Sequence, residues 1–223
     1  MTLFFYGNLA FGLIGMHLIS LPMYVCIRKL TTLVVFLTEY KSRTQETTFG
    51  VVLITLGGIC AGIYDLTGSL MGYLVVFASV LMNVGQLIYS KKLADRGFDS
   101  NFVFMFSSAL VLPLAMSSHY MNEKGFNEIL LLLDSWDKLG YLLIGTITSA
   151  LANFMTIYCS AKVSPIATSV SGNFKDAFSM FLGLVLFKEP FTEMFFYGLL
   201  LSTSGAAVFS YSKLKLYSSK HRS

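Results

Sequence analysis

The chain alternates long apolar stretches with short polar joints. Eight stretches stand out, at 3–20, 21–40, 48–65, 70–90, 102–118, 139–161, 166–187 and 194–212. Each is about as long as the ~20 residues a helix needs to cross a ~30 Å hydrocarbon core. The pattern predicts an all-α polytopic membrane protein with about eight transmembrane helices. The first two stretches adjoin, and Pro22 marks the break, because a proline at the start of a helix gives up no hydrogen bond. The N-terminal MTLFFYGNLAFG has no basic lead-in and reads as a span rather than a cleavable signal. The joint 119–138 contains an apolar run, Ile129–Leu133, too short to span and suited to the interface.

Composition fits that reading. Of 223 residues, 55% are apolar and 13% charged, against ~25% charged in a typical soluble chain. Mean hydropathy is +0.67. Eight spans leave no room for a large water-soluble catalytic domain. Cys26, Cys60 and Cys159 all lie in apolar stretches and read as buried thiols rather than a disulfide or metal set.

The net charge of +4 acquires meaning once its members are placed. Both termini fall on one side of an eight-span layout. That side carries Lys41, Arg43, Lys91, Lys92, Arg96, Lys162, Lys213, Lys215, Lys220 and Arg222, whereas the other carries Lys124, Lys138 and Lys188. The excess of basic loop residues predicts cytosolic termini, with 213–223 a basic cytosolic tail. Nothing in this distribution suggests nucleic acid as a partner.

A weak internal symmetry runs through the chain. GVVLITLG at 50–57 and GLLLSTSG at 198–205 share G-x-x-L-x-T-x-G, pairing Gly50 with Gly198, Leu53 with Leu201, Thr55 with Thr203 and Gly57 with Gly205. The preceding spans also correspond: one opens at Ser20-Leu-Pro22 and carries Arg28-Lys29, the other opens at Ser164-Pro165 and carries Lys175-Asp176. Partners five spans apart cross in opposite directions, which is the signature of an inverted repeat with its binding site at the midplane. The predicted organisation is a partial first repeat of three helices, 1–66, and a complete second repeat of five, 67–223. This is a 5+5 architecture reduced to 3+5, lacking two helices of the first half.

Three cations lie at membrane depth. A Lys or Arg at the centre of a helix costs roughly 2.5–3.5 kcal/mol on insertion scales, so it faces a cavity or a partner. Lys175 sits mid-span among Ser169, Ser171, Gly172, Asn173 and Asp176, and small neighbours let a ligand approach closely. Adjacent residues diverge by ~100° on a helix, so Asp176 is expected to meet a cation on another helix, Arg28 or Lys29, rather than Lys175. Arg28 and Lys29 lie eight and nine residues into their own span. Asn83, Asn153 and Tyr158 read more as interhelical hydrogen-bond formers than as ligand contacts, and His17 receives no role. The candidate substrate-binding set is Lys175, Asn173, Gly172, Ser171, Arg28, Lys29 and Asn83. The sequence contains no P-loop, G-x-S-x-G, H-E-x-x-H or paired cysteine ligands, so no enzyme, metal or cofactor is expected.

Three stretches carry a family resemblance. Ser20-Leu-Pro-Met-Tyr24, Arg28-Lys29-Leu-Thr-Thr32 and Glu39-Tyr40 together resemble the fourth helix of nucleotide-sugar transporters of the drug/metabolite transporter superfamily. Asp65, Gly72-Tyr73, Asn83, Tyr89 and Lys91-Lys92 resemble the sixth. Ser164-Pro-Ile-Ala-Thr168 followed by Ser171-Gly-Asn-Phe-Lys175-Asp176 resembles the ninth, where that family places a Gly/Asn/Lys motif on the nucleotide sugar.

The resemblance implies a Golgi or endoplasmic-reticulum antiporter that exchanges a nucleotide sugar for a nucleoside monophosphate. GDP-mannose carriers of that family have G-A-L-N-K in the ninth helix and F-Y-N-N in the seventh. Here those regions read Ser171-Gly-Asn-Phe-Lys175 and Met105-Phe-Ser-Ser108, which shifts the expectation towards a UDP-sugar. A GDP-mannose-type or sugar-phosphate carrier is the alternative. So is a truncated, non-transporting paralogue that pairs with itself or with a full-length transporter.

Overall fold

The computed structural model describes residues 1–39, 44–62, 69–120, 136–187 and 193–220. All of its regular elements there are helices: α1 (Thr2–Leu18), α2 (Leu21–Arg28), α3 (Leu30–Thr38), α4 (Gln45–Gly62), α5 (Leu70–Asp95), α6 (Ser100–Tyr120), α7 (Trp136–Lys162), α8 (Pro165–Phe187) and α9 (Glu193–Lys220). The chain is an all-α polytopic membrane protein. Within α5, α7 and α9 lie stretches long and apolar enough to cross a bilayer, and α1 and Ser100–Met116 are shorter apolar helices. The run 129–133, Asp65, Lys124 and Lys188 lie outside the described residues.

The expected second span is two helices, α2 and α3, meeting at Lys29. The Lys29 amide is shared between the carbonyls of Val25 and Cys26, and the Thr32 amide reaches the Lys29 carbonyl at 3.1 Å. A turn tightened to i→i−3 bonding displaces the two segments without ending the span. The starts of α2 and α8 follow their sequence signals. Ser20 Oγ accepts the Met23 amide ahead of α2, and Ser164 Oγ accepts the Ala167 amide ahead of α8, with a proline in each first turn.

Packing inverts the soluble pattern, with small residues inside and large apolar ones outside. On α4, Gly50, Gly57, Gly58 and Ala61 are buried while Phe49, Val52, Leu56 and Ile59 face outward. Where lipid replaces water, helices associate by close backbone approach, and glycine permits it. The helices α4 and α9 cross antiparallel with their backbones close together. A Cβ on Gly57 would lie 2.6 Å from the Gly198 carbonyl oxygen, and one on Gly50 would lie 2.9 Å from that of Gly205. Thr55 and Thr203 each donate back to a carbonyl of their own helix, four residues upstream, at Val51 and Leu199.

Two buried clusters lie along this bundle. One joins α3, α4, α5, α8 and α9 through Val35, Ile54, Leu87, Ile166 and Phe209. The other joins Tyr24 and Cys26 to Ala61, Val76 and Phe195. Of the three cysteines only Cys26 is buried. Cys60 is exposed, because it falls on the outward face of α4 next to Ile59. The first half of α7 is exposed around its circumference, from Tyr141 through Leu151, and a Cβ at Gly140 or Gly145 would meet nothing within 4 Å.

Candidate functional site

Between α1, α2, α3, α5, α6, α7 and α8 lies a cavity of about 930 Å³. This is the upper part of the range typical of small-molecule sites. Arg28, Asn83, Ser171, Gly172, Asn173 and Lys175 all line it. Six of the seven expected residues, drawn from α2, α5 and α8, therefore converge on one space. Lys29 does not line it.

Arg28 is held from its own helix. Its Nη1 donates to the Tyr24 hydroxyl at 3.3 Å, and its guanidinium carbon lies 5.5 Å from the centre of the Tyr24 ring. Tyr24 is buried, so it offers a fixed platform one turn below the cation. Lys175 has more freedom, with its side chain 64% exposed. Its Nζ lies 3.8 Å from Asp176 Oδ1, so the two adjacent side chains do approach, contrary to the expectation from helix geometry. A long flexible lysine stem can swing back over the ~100° between neighbours, and 3.8 Å is a loose pair. Among the described residues no ion pair joins Asp176 to Arg28 or Lys29, so the expected pairing with a cation on another helix is not made. Lys29 itself is 2% exposed, its stem packed on the bare Cα of Gly58.

Polar contacts between α3 and α8 close one side of the cavity. Thr32 Oγ1 and Ser169 Oγ lie 2.7 Å apart, and the Asn173 amide donates to Thr32 Oγ1 at 3.1 Å. Beside them the Thr31 hydroxyl is buried without a hydrogen-bond partner among the described residues and lines the cavity. A second polar group joins α1, α5 and α7. Asn8 Nδ2 donates to Asn83 Oδ1 and Gln86 Oε1, both at 3.5 Å, and Gln86 Nε2 donates to Asn153 Oδ1 at 3.3 Å. Asn83 and Asn153 thus make the interhelical bonds expected of them, and both also line the cavity. Asn8, Thr31 and Gln86 were not legible as site residues. Gln86 stands one turn beyond Asn83, the spacing that could have flagged it. Tyr158 stands beside the Phe154 ring, 6.0 Å between centroids, and does not line the cavity.

The result is a space with two chemistries. Arg28 and Lys175 bring positive charge from α2 and α8, and Asp176 beside Lys175 brings one carboxylate. Amides and the rings of Phe5 and Phe104 come from α1, α5, α6 and α7.

The sequence profile of the EamA-like transporter family matches residues 70–211. The chain belongs to the EamA-like transporter family. Members of this family are transporters rather than enzymes, in keeping with the sequence. Among similar proteins, the UDP-galactose/UDP-glucose transporter 7 of Arabidopsis thaliana is 27% identical over 223 residues, covering 96% of this chain and 69% of that protein. The UDP-N-acetylglucosamine transporter UGNT1 of Arabidopsis thaliana is 28% identical over 208 residues, 88% of this chain and 59% of that protein. The UDP-sugar transporter sqv-7 of Caenorhabditis elegans is 24% identical over 220 residues, 95% and 67%. A further relative, from Dictyostelium discoideum, is covered over 56% of its length. This EamA-like chain therefore spans between about half and two thirds of the length of its relatives.

Proposed function

We propose that this chain forms the substrate-binding part of a nucleotide-sugar antiporter, exchanging a UDP-sugar for a nucleoside monophosphate across the Golgi or endoplasmic-reticulum membrane, with both termini cytosolic. The observation that carries the reading is the convergence of Arg28 and Lys175, from separate helices, on one cavity of about 930 Å³. A diphosphate brings about two negative charges. A guanidinium fork and a mobile ammonium can meet them together. Ser171, Gly172, Asn173 and Asn83 complete the contact set, and Lys29 stands outside the cavity. The relatives named above, all UDP-sugar transporters by name, favour this substrate class.

The same reading includes two inverted repeats, 1–66 and 67–223, rocking about the cavity. The paired glycines of α4 and α9, each touching the carbonyl of the other's counterpart, favour it. Exchange is tested in liposomes loaded with UMP or GMP and supplied with labelled nucleotide sugars. Uptake that depends on internal UMP supports the proposal. No exchange by this chain, or by a form carrying additional N-terminal helices, removes it.

One observation favours a second reading, in which the chain works only in complex with another membrane protein. The exposed first half of α7, with Gly140 and Gly145 bare, has the small-residue character of a helix contact. Co-purification with a larger transporter and no exchange alone would select it.

A further inference from the structure

The polar group joining α1, α5 and α7 has a direction. The Ser79 hydroxyl lies 3.1 Å from Asn8 Oδ1 and 3.2 Å from the Asn8 backbone oxygen, and its one proton serves either. The Asn8 amide nitrogen points the other way, to Asn83 Oδ1 and Gln86 Oε1. With its oxygen engaged, Gln86 spends its nitrogen on Asn153 Oδ1. Gln86 is 2% exposed and cannot turn to water for a substitute partner. Both ends of the relay therefore have their oxygens occupied and their –NH₂ groups left over. Among the described residues no hydrogen bond takes up Asn83 Nδ2 or Asn153 Nδ2, and both residues line the cavity.

We infer that the amide relay Ser79–Asn8–Gln86 fixes Asn83 and Asn153 as hydrogen-bond donors that select uracil through its carbonyl oxygens. The inference rests on the nucleotide reading of the cavity and deepens it. An amide can donate or accept, and in isolation it distinguishes little. Tied at its oxygen, it is held with its –NH₂ group left to donate. Uracil presents carbonyl oxygens on both sides of a ring nitrogen. Cytosine replaces one of them with an amino group, which would face another donor, and guanine's pairing edge is mostly donors. A donor set against a donor leaves both desolvated and unpaired, which is how polar sites reject close analogues strongly. Asn83 and Asn153 are the contacts. Asn8 and Gln86 are positioning residues, acting through them. The apolar walls beside the relay, Phe5, Leu87 and Phe104, suit the flat faces of a base.

The test is ligand-dependent stabilisation of the purified full chain in detergent, with UMP, CMP, GMP and inorganic pyrophosphate as probes. Wild type is expected to bind UMP about tenfold more tightly than CMP or GMP, the value of one hydrogen bond gained against one lost. Asn83→Leu and Asn153→Leu remove the donors without adding charge and should erase the preference for UMP over CMP, leaving pyrophosphate binding within about twofold. Gln86→Met, which removes the donor to Asn153 without adding charge, should erase the UMP preference and leave pyrophosphate binding within about twofold. Asn153→Gln, which keeps the amide, should retain part of it. Equal binding of UMP and CMP by wild type overturns the inference while leaving the nucleotide reading intact. So does a parallel loss of UMP and pyrophosphate in the Leu variants, which would assign the amides to phosphate. Failure of every nucleotide and of pyrophosphate to bind wild type overturns both.

Discussion

Gly57 and Gly198 face each other so closely that a Cβ on either would lie 2.6 Å from the carbonyl oxygen of the other. Gly50 and Gly205 repeat the relationship at 2.9 and 2.8 Å. In the sequence motif Gly50 corresponds to Gly198 and Gly57 to Gly205, so each contact joins non-equivalent positions and recurs with the roles exchanged. That reciprocity is what a two-fold relationship between helices generates.

Substitutions there should be costly in a specific way. Gly57→Ala and Gly198→Ala each place a methyl against backbone that cannot rotate aside, and should each lower stability by about 1–3 kcal/mol. The double variant should cost less than the two together, because one separation of α4 from α9 relieves both. Gly140→Ala, where nothing lies within 4 Å, is the neutral control. Thermal unfolding in detergent reads all four.

The contact between α3 and α8 yields a second prediction. Thr32→Val removes the common partner of Ser169 and Asn173, leaving a buried amide without its acceptor, and should cost about 1–3 kcal/mol. Ser169→Ala leaves the Asn173 bond in place and should cost about 1 kcal/mol or less. The ranking is measured by the same unfolding assay, and equal losses would contradict it.

Charge placement separates the two neighbours Arg28 and Lys29. Arg28→Met removes a cation from the cavity and should lower nucleotide-sugar exchange at least tenfold. Lys29→Met keeps the stem that packs on Gly58 and takes away a charge outside the cavity. It should reduce exchange by less than Arg28→Met at equal membrane abundance. Flux per molecule in proteoliposomes decides between them.

Tyr24 supplies a finer probe. Tyr24→Phe keeps the ring beneath the guanidinium and removes the 3.3 Å hydroxyl contact. Substrate affinity should fall about threefold to tenfold as Arg28 gains freedom, with stability changed by no more than about 1 kcal/mol. Tyr24→Ala, which also removes a buried ring from the core, should lower both.

The helices were legible in the sequence because lipid imposes a length and an apolar composition that few other environments demand. Ser20 with Pro22 and Ser164 with Pro165 also announced their helix starts correctly, since capping is settled within a few residues. The sequence showed no break at Lys29, because a tightened turn needs neither glycine nor proline. Cys60 was expected inside, yet a membrane helix is apolar on both faces, and the burial of one face depends on where glycines meet. Arg28 and Lys175 were legible through charge at membrane depth, and Ser171, Gly172 and Asn173 through standing beside Lys175. Asn8 and Gln86 were not, because isolated amides are common in such helices and only three-dimensional contact reveals that these form one relay.

In the proposed function Arg28 and Lys175 hold phosphate. The most direct test is the stabilisation of the purified chain by UMP compared with uridine, in wild type and in Lys175→Ala. The account predicts that UMP stabilises wild type far more than uridine does, and that Lys175→Ala brings the two ligands close together. Equal stabilisation of wild type by UMP and uridine would contradict it, as would a Lys175→Ala variant that still prefers UMP as strongly as wild type.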